Sequence, residues 1–263
     1  MTTSSAIPPA AITTSAGACS PAPWATASED DANWVAALDP KDGKELWRFW
    51  SVPAPGEAGH ETWKDKNNAW KTGGGAFYVT GSYDPDTKTT YWGSGNPTPK
   101  YDASYRPGDN LFTNSALAID ATTGKLKWFH QYSPNDTLDF DESGSHILID
   151  GKFGGADRKL VVRAARNGFV YSFDRLNGQF LKATQYVSQV TWTKGIDPKT
   201  GKPLDYDPTK DLQTYAQPVA QMLTGANEWL WRPVSNRESL QFSSFVDGNP
   251  KGFGALVRHR DIA

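Results

Sequence analysis

The chain has 263 residues, a formal net charge of -2 and 21% charged residues. That near-neutral balance speaks against a nucleic-acid-binding surface, and no apolar run approaches the ~18 residues of a membrane span. Its 24 glycines, 18 prolines and 11 tryptophans describe a loop-rich, β-rich globule.

Residues 1–33 are dominated by Ala, Ser, Thr and Pro, with no Lys or Arg before Lys41. A basic n-region is missing, and Pro8, Pro9, Pro21 and Pro23 interrupt every apolar piece, so the stretch reads as a disordered leader without an export signal. Cys19 is the sole cysteine, which excludes an internal disulfide, and no Cys/His cluster has zinc spacing.

From residue 34 a pattern recurs. Ala37-Leu38-Asp39 through Gly43-Lys44 to Trp47 is repeated as Ala118-Ile119-Asp120 through Gly124-Lys125 to Trp128. Ser172-Phe173-Asp174 through Asn177-Gly178 keeps the Asp-to-Gly spacing but places Lys182 where Trp is expected. Ser82-Tyr83-Asp84 through Tyr91-Trp92 keeps the Asp-to-Trp spacing without the Gly. Each unit reads as a β-hairpin. The first strand ends at Asp, whose carboxylate bonds turn N–H groups, and Gly supplies the positive φ. The second strand then carries Trp to a neighbouring unit. Further strands are expected over Lys159–Ala165 and Gly168–Phe173. The spacing suits four-stranded propeller blades with long insertions, and the alternative is a sandwich with similar hairpins. The predicted architecture is all-β, with residues 34–215 forming part of a propeller and 216–263 a segment of different character.

Three loops carry chemistry. Asn96, in Gly95-Asn96-Pro97 after the strand-like Thr89–Trp92, offers an amide oxygen to a hard cation or is a turn asparagine. Asp139 and Asp141 flank Phe140. They can converge on one cation, divide into metal ligand and general base, or belong to a solvated acidic turn with Asp136 and Glu142. Arg166, before Asn167-Gly168, can hold a carboxylate or quinone oxygen, or serve as a turn residue or blade-to-blade ion pair.

These residues together resemble the pyrroloquinoline quinone (PQQ)-dependent alcohol dehydrogenases of the methanol/ethanol type. The resemblance runs from about residue 34 to 207. It includes Gly59-His60-Glu61-Thr62-Trp63, Ala69-Trp70-Lys71-Thr72-Gly73-Gly74-Gly75, Tyr91-Trp92-Gly93-Ser94-Gly95-Asn96-Pro97, Arg106-Pro107-Gly108-Asp109-Asn110 and Trp192 through Asp197. It implies about four blades of an eight-bladed quinoprotein propeller, with PQQ and a calcium or lanthanide ion on the axis. It also implies that Asn96 is a metal ligand and that Asp139 is both ligand and base. Asp141 is then the additional carboxylate of lanthanide-using members, Arg166 the contact to the quinone oxygens, and Tyr78 the aromatic against PQQ. Tyr78 stands where the family usually has Trp. The family's adjacent-cysteine disulfide has no counterpart, and Glu29 falls only near the position of its glutamate ligand.

The resemblance implies oxidation of a small primary alcohol to an aldehyde, with a cytochrome c as acceptor and a periplasmic location, by a chain expected to lack part of the site. A non-catalytic binding propeller is the alternative. Asn227-Glu228-Trp229-Leu230-Trp231 and Gly252-Phe253-Gly254 instead resemble the periplasmic glucan biosynthesis protein G family over about 225–263. That points to a segment of separate origin and to a third reading, a role in glucan synthesis.

Overall fold

The structure, a computed structural model, describes residues 11–14 and 33–215. The rest of the leader and the 216–263 segment lie outside the described residues. Within them are three antiparallel sheets. The first holds β1 (Ala11–Thr14), β2 (Trp34–Leu38) and β3 (Glu45–Trp50). The second holds β4 (Ser82–Asp84), β5 (Thr89–Gly93), β6 (Ser115–Asp120) and β7 (Leu126–Gln131). The third holds β8 (Ile147–Phe153), β9 (Ala156–Ala164), β10 (Phe169–Asp174) and β11 (Phe180–Gln185). Each sheet runs up and down in sequence order, and short 3-10 turns occur at His60–Thr62 and Ala69–Thr72.

This is the expected all-β, blade-like architecture. Three sheets appear among the described residues where the repeats suggested about four, because the Asp84 and Asp120 hairpins are the two halves of one sheet. The expectation of a structureless leader is corrected at residues 11–14. They pair with β2 from Ala11↔Leu38 to Thr14↔Val35, supplying the outer edge of β2 with backbone partners it otherwise lacks.

The hairpin turns are built as the sequence predicts. Asp39 Oδ1 accepts the Lys41 N–H at 2.9 Å, Gly43 has φ 75°, and a bulge lies between Ala37 and Leu38. Trp47 then reaches across to the next blade, where its indole N–H donates to Ala121 O at 3.0 Å. It lies over Gly124, where an added Cβ would stand 2.7 Å from the indole ring. Trp128 repeats this one blade on, donating to Arg175 O at 3.2 Å and lying over Gly178. In the third blade Lys182 holds the register position of Trp47 and Trp128, and the ring that packs over Gly201 is Phe180, two residues earlier. A fourth copy of the turn goes with it: Asp197 Oδ1 accepts the Lys199 and Thr200 N–H groups, and the Gly201 N–H returns to Asp197 O.

The seams between blades are the core. On β6, Leu117 and Ile119 face the first blade while Ala116 and Ala118 face the third, so the strand is buried on both sides. Tyr91 and Tyr132 of the second blade and its following loop meet Phe169, Tyr171 and Phe173 of the third. The buried pair Arg175 Nε–Asp84 Oδ2, at 2.8 Å, crosses the same seam. Burial opposes the Asp84 charge, yet Arg175 and Thr87 hold its carboxyl below the ordinary value.

His130 is buried there, stacked on Phe180 at 5.9 Å, with its Nε2 3.2 Å from Gly201 O. Burial pushes its pKa down to about 3, and the Lys202 ammonium adds to that despite the bond to Gly201. The folded pKa is depressed, so this stability is present above the unfolded value near 6.5 and is lost as pH falls toward 3. Between pH 7.5 and 5 the wild type should lose about 2 kcal/mol relative to a His130→Phe variant. Urea melts of both proteins at the two pH values measure this.

Candidate functional site

Three loops come together: one joining β5 to β6 in the second blade, one leading from the second blade to the third, and one turn inside the third. The first continues β5 through Ser94 to Asn96. It is anchored by Gly95 N–H to Ala76 O at 2.8 Å and Gly75 N–H to Asn96 O at 2.9 Å. Asn96 is buried; its Nδ2 donates to Pro97 O at 3.1 Å, which leaves the amide oxygen as the end available to a cation. The second loop, between β7 and β8, carries Asp139 and Asp141. The third is the β9–β10 turn with Arg166.

Asp139 and Asp141 both have left-handed backbone, φ 58° and 51°, an unfavourable region for residues other than glycine and, less so, Asn or Asp. Phe140 between them is buried against Trp192, ring centres 5.0 Å apart. Trp192 also donates its indole N–H to Asn167 O at 2.8 Å, so one side chain braces both the carboxylate loop and the Arg166 turn. The two carboxylates stay partly open to solvent.

Asp141 Oδ2 pairs with Arg166 Nη1 at 3.2 Å. Its Oδ1 is buried and makes no hydrogen bond. Burial pushes the Asp141 carboxyl up to about 6; Arg166 opposes this and Asp139 adds to it. The Gly95 backbone comes so close that a Cβ there would stand 2.5 Å from Asp141 Oδ1, so glycine is what allows the Asn96 loop to approach. Asp139 has Lys100 Nζ at 3.6 Å and accepts the Tyr101 hydroxyl at 3.4 Å.

The acidic cluster is not a solvated turn. Asp136 and Glu142 are buried and face inward. Asp136 accepts the Leu138 and Phe140 N–H groups and the Asn114 side chain. Glu142 accepts the Arg166 and Asn167 N–H groups and pairs with Arg163 at 3.2 Å, fixing the turn that presents Arg166. Burial pushes the Glu142 carboxyl up to about 7 against the pull of Arg163.

The structure therefore brings together Asn96, Asp139, Asp141 and Arg166. Tyr78 lies two residues beyond Ala76 and is 42% exposed. Glu29 lies outside the described residues. Lys100, Tyr101, Asp136 and Glu142 also contribute to the site; for Asp136 and Glu142 the available signal was an acidic run whose burial only the tertiary structure reveals. Among the described residues no group of three or more His, Cys, Asp or Glu forms a metal cluster. The donors are an amide oxygen and two carboxylates, all hard, one with an unsatisfied buried oxygen. This set fits calcium or a lanthanide rather than zinc. The Arg166 guanidinium fits an anionic or quinone oxygen acceptor.

Residues 5–244 match the family described as "PQQ: Glucose/ethanol/alcohol dehydrogenase, beta-propeller domain". The chain is 39% identical over 219 residues to quinoprotein alcohol dehydrogenase PedH of Pseudomonas putida, covering 74% of this chain and 36% of that protein. It is 36% identical over 203 residues to a lanthanide-dependent methanol dehydrogenase of Methylorubrum extorquens, covering 70% and 32%. Among solved structures, the quinohemoprotein alcohol dehydrogenase ADHIIG of Pseudomonas putida superposes with a TM-score of 0.62 at 36% identity, covering 68% of this chain and 28% of that one. A europium-containing methanol dehydrogenase gives 0.61 at 30% identity, covering 66% and 33%. The chain thus spans about a third of the length of these relatives.

Proposed function

The chain belongs to the PQQ-dependent glucose/ethanol/alcohol dehydrogenase β-propeller family, and we propose that its described blades form one wall of a site that oxidises a primary alcohol to an aldehyde. The observation that carries this reading is the pair Asp139 and Asp141. Left-handed backbone holds them on either side of buried Phe140, and one buried Asp141 oxygen has no hydrogen bond, beside the Asn96 loop. When bound, PQQ supplies the hydride acceptor and the cation a Lewis acid. Asn96, Asp139 and Asp141 would hold the cation through oxygen. Asp139 would take the alcohol's hydroxyl proton. Arg166, oriented by Asp141, would contact the quinone oxygens, and Tyr78 would offer a ring face. A cytochrome c as electron acceptor and a periplasmic location belong to the same proposal and rest only on what the family resemblance in the sequence implies.

The test supplies the purified protein with PQQ and either calcium or a lanthanide and follows ethanol-dependent reduction of an artificial electron acceptor. Turnover that requires both additions is expected; none with either cation overturns the catalytic reading.

A lanthanide is the proposed cation, because the Asp141 charge stabilises a trivalent ion by roughly 1.5 times as much Coulomb energy as a divalent one. Asp141→Asn keeps the shape and tolerates φ 51° while removing the charge. It should weaken lanthanide binding by at least about 10-fold more than calcium binding, as measured by titration calorimetry with each ion.

A further inference from the structure

We infer that Asn114, which is no ligand, is the positioning residue that sets the spacing between the Asn96 loop and the Asp139–Asp141 loop. It is fully buried and has left-handed backbone, φ 47°. Its side chain bridges the two ends of the carboxylate loop: Nδ2 donates to Asp136 Oδ2 at 2.8 Å, and Oδ1 accepts the Glu142 N–H at 3.2 Å. Its backbone N–H donates to Gly95 O at 2.8 Å, one residue before Asn96, and its carbonyl accepts the Tyr132 N–H at 2.9 Å, where the loop leaves β7. One residue thus joins both proposed ligand loops. Asp136 in turn passes the constraint to the Leu138 and Phe140 N–H groups, on either side of Asp139.

Only an amide performs this task. It needs one donor for a carboxylate and one acceptor for an N–H, on a residue that tolerates positive φ. Aspartate lacks the donor, and glycine lacks both while keeping the backbone geometry.

The inference rests on the cation site proposed above, so its test has one arm that needs no cation. In the metal-free protein, Asn114→Gly should raise amide exchange at Leu138, Phe140 and Glu142, with β6 and β10 amides unchanged. Asn114→Asp should release Leu138 and Phe140 while Glu142 stays protected, and it provides the same reading where the glycine variant is unstable. The second arm is terbium luminescence sensitised by the chain's aromatic residues. Terbium affinity should fall about 10–100-fold in Asn114→Gly, the usual range for losing a group that orients ligands. Unchanged loop exchange in both variants overturns the inference, as does a terbium affinity equal to the wild type. A wild type that binds no terbium overturns the cation-site reading instead, and the exchange arm then decides the role of Asn114.

Discussion

Arg106→Met should lower the free energy of unfolding by about 3–5 kcal/mol, the cost of stranding a buried charge and its acceptors. Arg106 is fully buried, and burial pulls even its guanidinium down to about 10. It donates to Pro99 O, Lys100 O and Asn110 Oδ1, each at 2.8 Å, and to Asp136 O. Methionine fills much of the volume and satisfies none of these acceptors, while the Asp136 carboxylate loses its nearby cation. A shift in the urea midpoint at unchanged m-value reports the loss. The damage reaches the site, because Lys100 and Asp136 border the segment around Asp139. A variant within about 1 kcal/mol of wild type would show that water replaces the guanidinium.

Asp139→Asn should slow alcohol oxidation by about 10²–10⁴-fold, the range for losing a general base. Asparagine suits φ 58° and keeps an oxygen for the cation, so folding and cation binding should change far less than turnover. The variant cannot accept a proton and no longer carries the charge that pairs with Lys100 at 3.6 Å. The measurement is the rate of aldehyde formation in PQQ- and lanthanide-loaded protein, with terbium affinity as the control. A rate within tenfold of wild type would place the base elsewhere.

Much of the repeat was legible in the chain. Asp39, Gly43 and Trp47, and their counterparts Asp120, Gly124 and Trp128, are local signals whose turn chemistry can be read residue by residue. The third docking ring was missed because it does not occupy the repeat's Trp position: Lys182 pairs with Ser172 as Trp47 pairs with Ala37 and Trp128 with Ala118, and the ring comes from Phe180, two residues earlier on the same strand. The counted spacing located the equivalent position correctly, but it does not show that a neighbouring residue has taken over the packing. The Asp84 and Asp120 units looked like separate blades because their pairing through β5 and β6 spans a long insertion. At the site, residue type and neighbours singled out Asn96, Asp139, Asp141 and Arg166 only as candidates with plain turn readings beside them, and their roles come from the family resemblance. The burial of Asp136 and Glu142 was not legible, because their partners Asn114, Arg163 and the Arg166 turn are distant in sequence. An acidic run is solvated or internal according to donors that only the fold brings to it.

The tryptophan contacts have a direction. Trp47 docks on the blade that follows it in the chain, Trp128 does the same, and Phe180 docks on the turn at Gly201. During synthesis each blade therefore leaves the ribosome with its docking ring exposed, waiting for a receptor that is translated later. Folding energetics become those of a row of units coupled to nearest neighbours, with the coupling completed from the C-terminal side of each unit. Weakening one receptor glycine would then delay the burial of the preceding blade, extending the time its indole remains available to chaperones or to other nascent chains.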